Sequence, residues 1–170
     1  MLTGRIPTAQ GTYICPGGLG ATNWYSPSYN PDTKLFYVMA LESCAEYFAS
    51  AQPFTPGKSF YNTGTKRPPN EHFQKVLLAL SVTDGKLAWR YPQVGPGDSW
   101  GGTLTTAGGL LFFGDDAKSF EAVDARTGRS LWHFNTGQKF AASPMTYAVD
   151  GVQYVGIAAP SNIFTFTLPH

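Results

Sequence analysis

One eleven-residue unit occurs twice along the chain without a gap. Ala79-Leu80-Ser81-Val82-Thr83-Asp84-Gly85-Lys86-Leu87-Ala88-Trp89 aligns with Ala122-Val123-Asp124-Ala125-Arg126-Thr127-Gly128-Arg129-Ser130-Leu131-Trp132. Ala, Gly, the basic residue after Gly, and Trp coincide, and the two Trp are 43 residues apart. A period of about 40–45 residues is that of four-stranded propeller blades. Each copy reads as an alternating apolar strand, a turn of residues that tolerate tight or left-handed backbone, and a second strand carrying the Trp. An indole is large enough to cover the gap between neighbouring sheets, and a small Ala on the adjoining strand leaves room for it.

This unit, used as a template, divides the whole chain into strands. Residues 1–22 form a lead-in segment. Residues 23–92 form one blade, with strands expected at 23–29, 35–41, 76–82 and 87–91 and an insertion over 42–75. Residues 100–135 form the next, with strands at 102–106, 110–114, 119–124 and 130–135. Residues 143–168 form an incomplete closing blade, with strands at 143–149, 153–158 and 163–168. The fold class expected is therefore all-β, made of four-stranded antiparallel blades. Composition agrees: aromatic residues make up 15% and charged residues only 14%, against about 25% charged in ordinary globular chains. With 19 Gly and 13 Pro the chain turns often, as many short strands require. The 42–75 stretch holds Pro53, Pro56, Pro68, Pro69, Gly57 and Gly64. It reads as an ordered surface excursion between the second and third strands of its blade.

Several function classes are disfavoured. The net charge is +1, and the one basic pair, Lys66-Arg67, stands beside two prolines as a solvated loop. Nucleic acid and anionic membrane are therefore poor partners. No run of 18 apolar residues exists, so no transmembrane segment is expected, and Met1 to Arg5 lacks the apolar core of a signal peptide. His72, His133 and His170 are scattered, with no Ser/His/Asp or Cys/His spacing for hydrolysis. No zinc-type spacing and no haem-attachment Cys-x-x-Cys-His occurs. Asp115-Asp116, at a strand end, reads as a solvated turn in preference to a metal site. Cys15 and Cys44 are too few to define a framework and leave two readings open, a disulfide in an oxidising compartment or two buried thiols.

The repeated Ala-x-Asp-x-x-Thr-Gly-x-x-x-Trp pattern resembles the tryptophan docking motif of the pyrroloquinoline quinone (PQQ) dependent, or quinoprotein, alcohol dehydrogenases. Gly20-Ala21-Thr22-Asn23-Trp24-Tyr25-Ser26-Pro27-Ser28-Tyr29-Asn30-Pro31 is similar to their Gly-x-x-Asn-Trp-x-Pro-x-Ser-Tyr-x-Pro segment. Gly97-Asp98-Ser99-Trp100-Gly101-Gly102-Thr103 is similar to their Trp-Gly-Gly-Thr segment near the C-terminus. Ser143-Pro144-Met145-Thr146-Tyr147, followed by Asp150-Gly151-Val152-Gln153-Tyr154-Val155, resembles their closing blade. The likeness runs from about Gly11 to Leu168. Ser81 and Asp84 depart from it, standing where the family has Asp and Thr, which weakens the hydrogen bonding of that turn.

The resemblance implies about two and a half blades of an eight-bladed quinoprotein propeller, the C-terminal part of an enzyme that oxidises alcohols with PQQ as electron acceptor. It makes Asn23, Trp24, Trp100 and Gly101 the cofactor-binding candidates: an aromatic floor and donors suit a flat polyanionic quinone. Asp98, before Trp100, is a further candidate, and Trp89 and Trp132 are assigned to packing. The catalytic Asp and the ligands of Ca²⁺ or a lanthanide belong, by the same resemblance, to blades upstream of Met1, so the chain alone is expected to be inactive. Those blades, as upstream sequence or a separate chain, are expected partners, with cytochrome c or a quinone as electron acceptor and the periplasm as location. Because family-type propellers do not depend on Cys15 and Cys44, two thiols is the favoured reading of that pair. The alternative is a non-catalytic PQQ-like repeat β-propeller acting as a protein-interaction scaffold, which has no reason to keep Asn23-Trp24 together with Trp100-Gly101-Gly102.

Overall fold

The computed structural model describes residues 6–49, 51, 53–60, 64–68, 73–97 and 99–168. Its strands are β1 (Thr12–Ile14), β2 (Ser28–Asn30), β3 (Leu35–Glu42), β4 (Ala45–Tyr47), β5 (Thr65–Lys66), β6 (Gln74–Ser81) and β7 (Leu87–Pro92). There follow β8 (Thr103–Thr105), β9 (Leu110–Gly114), β10 (Ser119–Asp124), β11 (Ser130–Asn135), β12 (Met145–Val149), β13 (Val152–Ala158) and β14 (Ile163–Phe166). The chain divides into two compact units, Met1–Ala21 with Leu41–Phe73, and Thr22–Ala40 with Gln74–His170.

The first unit is built on a three-stranded antiparallel sheet in the order β1-β4-β5. Ile14 lies opposite Ala45, so Cys15 and Cys44 face each other where that ladder ends. They form a disulfide with Cα atoms 4.4 Å apart. The favoured expectation of two buried thiols is thus corrected: the cysteines are bonded and Cys15 is exposed. A separation of 29 residues carries no such information until the β1–β4 register is known. The amide of Gly17 donates to the Ser43 carbonyl at 2.9 Å beside the bridge.

The second unit holds two four-stranded antiparallel sheets, β2-β3-β6-β7 and β8-β9-β10-β11, and a three-stranded one, β12-β13-β14. The repeated unit forms the hairpins β6–β7 and β10–β11, and the two match in detail. Each carries a register shift, at Ala79/Leu80 and at Ala122/Val123. Each turn is closed by Gly N–H donating back four residues at 2.8 Å, Gly85 to Ser81 and Gly128 to Asp124. They differ where the sequence departs. Asp124 Oδ1 accepts the amides of Arg126 and Thr127 at 2.9 and 3.0 Å, whereas Ser81 Oγ accepts that of Thr83 at 3.3 Å.

The core explains the order of the sheets. Tyr37, Leu77, Ala79, Leu111, Phe113 and Val123 have no exposed surface and pack in one cluster between the two four-stranded sheets. A second cluster, Phe120, Phe140, Val155 and Ile157, lies between β10 and β13. Strand β10 is buried at five consecutive positions because both of its faces are covered, the signature of a middle layer. The repeat Trp side chains bind the layers together. Trp89 Nε1 donates to the carbonyl of Ala125 at 3.1 Å, a carbonyl that also accepts the Tyr37 hydroxyl at 2.9 Å. Trp132 packs edge-on against Phe166, with ring centroids 5.1 Å apart.

Candidate functional site

Strands β2 and β8, the first strands of their sheets, run side by side and are joined through side chains. Ser28 Oγ and Thr103 Oγ1 are 2.8 Å apart, and Asn30 Nδ2 donates to Thr105 Oγ1 at 3.1 Å. Just before them three segments meet. Thr103 N–H donates to the Ser26 carbonyl at 2.9 Å, and Ser26 N–H donates to Ser143 Oγ at 3.3 Å. Gly102 makes this approach possible, since a Cβ there would stand 2.6 Å from the Ser26 carbonyl oxygen and 2.7 Å from its nitrogen. The close approach at Gly102 is thus one between the leading ends of the strands.

Two expected strand starts move accordingly. Asn23 and Trp24 precede β2, and Trp100 precedes β8. Pro27 has no N–H to give a ladder, and the backbone of Ser26 is already spent on Thr103 and Ser143. The side chains thus stand on the loops that lead into the inner strands.

Those loops bring Trp24 and Trp100 together. Their indoles are parallel within 4° with centroids 6.1 Å apart, an offset stack. Trp24 is 67% exposed, while Trp100 is half-buried and packs against the first core cluster. Tyr25, buried, meets the edge of Trp100 at 6.0 Å. Asn23 is exposed, and its Oδ1 accepts the Trp24 backbone amide at 2.9 Å. Trp100 N–H donates to the Phe140 carbonyl at 2.9 Å. A side chain on Gly101 would touch the Ala142 carbonyl at 3.3 Å. The structure thus gathers Asn23, Trp24, Trp100 and Gly101 at one end of the adjoining inner strands. Asp98 lies outside the described residues.

Behind this aromatic wall is a group of ionisable side chains that sequence reasoning missed. Lys75, Asp115, Asp116 and Glu121 are all buried. Asp115-Asp116 is therefore not the solvated turn expected from its place at a strand end. Asp116 accepts the amide of Ser99 at 2.8 Å and that of Gly97, and Asp115 accepts that of Ala117 at 2.6 Å. Burial pushes the Asp115 carboxyl up to about 6, with the Ala117 amide and Lys75 opposing and Glu121 and Asp116 adding to the rise. Burial likewise raises the Tyr91 phenol, aided by Glu121 and Asp115. The acidic pair next to Gly114 carried no signal of this, because its partners come from residues 75, 93, 97 and 99. Among the described residues no three His, Cys, Asp or Glu side chains come together to hold a metal ion. A cavity of about 610 Å³ lies elsewhere, between β8–β11 and β12–β14, lined by Phe112, Leu131, Trp132, Val155 and Phe166 among others and by none of the candidate residues.

Comparison with known proteins decides the lineage. Residues 94–155 match the family model of the glucose/ethanol/alcohol dehydrogenase β-propeller domain. Quinoprotein alcohol dehydrogenase PedH of Pseudomonas putida is 38% identical over 148 residues, covering 86% of this chain and 24% of that protein. The chain belongs to the quinoprotein alcohol dehydrogenase family. The solved quinohemoprotein alcohol dehydrogenase of Comamonas testosteroni superposes on these quinoprotein blades with a TM-score of 0.76 at 35% identity, covering 88% of this chain and 24% of that one. A europium-containing methanol dehydrogenase does so with a TM-score of 0.75 at 28% identity, over 88% and 27%. The chain spans about a quarter of the length of the quinoprotein relatives it matches, and its antiparallel sheets are quinoprotein β-propeller blades.

Proposed function

We propose that this chain forms the cofactor-facing C-terminal blades of a PQQ-dependent alcohol dehydrogenase. The carrying observation is the offset parallel stack of Trp24 and Trp100, held on loops at the leading ends of two adjoining inner strands. PQQ, when bound, supplies a two-electron acceptor for alcohol oxidation. The residues present fit part of such a site. Trp24, 67% exposed, offers a flat apolar surface of the kind a fused-ring quinone needs, the exposed Asn23 carboxamide supplies a donor, and Gly101 supplies backbone. The metal, Ca²⁺ or a lanthanide, and the base that takes the alcohol proton are assigned to blades beyond this chain. The electron acceptor is a cytochrome c or a quinone. In this reading 1–22 is a lead-in, 23–92 and 100–135 are blades docked through Trp89 and Trp132, 42–75 is an insertion, and 143–168 is a closing blade. The Cys15–Cys44 bridge supports a periplasmic location, since disulfides persist in oxidising compartments. The scaffold alternative is not favoured, because the relatives named above are dehydrogenases.

The test is reconstitution of the full-length protein with PQQ and Ca²⁺. Asn23→Ala and Trp100→Ala are each expected to weaken PQQ binding about tenfold or more, read by quenching of tryptophan fluorescence. Variants that bind PQQ as tightly as the parent would refute the site.

A further inference from the structure

Lys75, the second residue of β6, is 1% exposed. Lysine is almost never so buried without partners, and its partners here include Ser99 and Tyr25. Nζ donates to the Ser99 carbonyl at 2.7 Å and to Ser99 Oγ at 2.9 Å, and it stands 5.2 Å above the Tyr25 ring. Asp116 also holds Ser99, together with Gly97. Its Oδ1 accepts the Ser99 amide at 2.8 Å and its Oδ2 accepts that of Gly97. Asp116 is itself anchored: its amide donates to Gln93 Oε1 at 3.1 Å, and Gln93 Nε2 donates to Met39 Sδ at 3.0 Å in the core. Four charge-assisted bonds thus converge on Gly97 and Ser99, immediately before Trp100.

The backbone at Gly97 needs such a hold. Gly95 and Gly97 both have positive φ, 152° and 72°, and glycine at such angles leaves the backbone many alternatives. A ring that binds a flat ligand must be placed within about 0.5 Å and about 10–20° to be useful. Charge-assisted bonds are the strong, directional kind. As far as stability alone is concerned, an apolar group of similar volume would serve about as well as the buried lysine.

We propose that Lys75 and Asp116 are positioning residues for Trp100, a clamp of opposite charges on Gly97 and Ser99 that sets the plane of the indole offered to PQQ. The proposal rests on the reading of Trp100 as a cofactor contact. The same clamp governs Trp24, which stacks on Trp100, and Tyr25, which lies between the lysine and the Trp100 edge.

The test uses the chain labelled with fluorotryptophan and observed by fluorine NMR. It gives one signal for each of its 4 tryptophans, with Trp24→Phe and Trp100→Phe assigning two of them. Lys75→Met and Asp116→Asn are expected to move the Trp24 and Trp100 signals and to leave those of Trp89 and Trp132 in place. Ser99→Ala, which removes one of the four bonds and spares the charges, should move the same two signals by less, and it stands in if the other variants do not fold. In the PQQ-reconstituted full-length protein, Lys75→Met should bind PQQ about tenfold more weakly. Unmoved Trp24 and Trp100 signals overturn the clamp, as do four signals that all shift together, the mark of a merely structural role. Unchanged PQQ affinity in Trp100→Phe counts against the cofactor reading instead, and the clamp is then judged on the signals alone.

Discussion

Asp115 ends up 4% exposed, with Glu121 and Asp116 close enough to add repulsion to the loss of water. Its carboxyl titrates near 6 in the fold against 3.8 in the unfolded chain, so the native state holds this proton more tightly. The stability this group contributes is therefore complete below about pH 4 and is lost as pH rises through 6. Asparagine at 115 retains the oxygen that accepts the Ala117 amide and carries no charge. Asp115→Asn is expected to stabilise the protein by about 2 kcal/mol at pH 7 and to change little at pH 3.5. Thermal unfolding at the two pH values checks this, and an equal shift at both would contradict it. The sequence around Asp115 does not announce this behaviour, because it depends on burial and on the approach of Lys75 from β6 and Glu121 from β10.

At the scale of elements, the two hairpins of the repeat provide an internal comparison. Gly85 and Gly128 hold equivalent places at φ 71° and 72°. A side chain at 85 would meet open space, whereas one at 128 would come 2.7 Å from Cε3 of Trp89. Gly85→Ala should cost about 1 kcal/mol, from the left-handed backbone alone. Gly128→Ala should cost about 2 kcal/mol more, because the indole that joins the two sheets has to shift. Paired denaturant titrations read the difference, and equal costs would show that Trp89 does not seat on that turn. These hairpins were the most legible part of the chain, since alternation, turn residues and Trp all lie within eleven positions. The leading ends of β2 and β8 were less so. Pro27 and Gly102 mark where regular pairing begins, but only the convergence of Ser26, Thr103 and Ser143 shows why. The motif placed Asn23, Trp24 and Trp100 in one neighbourhood. The stacking of the indoles and the Lys75–Asp116 hold were invisible to it, because each depends on contacts between segments more than fifteen residues apart.

At the scale of the whole molecule, sheets in sequence order with a covered middle layer make the propeller a consequence of the repeat. The cysteine pair is the feature the repeat does not predict. The bond between Cys15 and Cys44 closes a covalent ring through residues 16–43, and β2, β3, Asn23 and Trp24 lie on that ring. A cut in the exposed turn at residues 31–34 would therefore not release either half. A protease site placed there should yield a single band on a non-reducing gel and two bands once a thiol reductant is added, and two bands without reductant would show the ring to be open. The stretch carrying Asn23 and Trp24 is thus moored to the rest of the chain at both ends, so a backbone nick that would shed it from a linear polypeptide leaves it attached for as long as its surroundings stay oxidising.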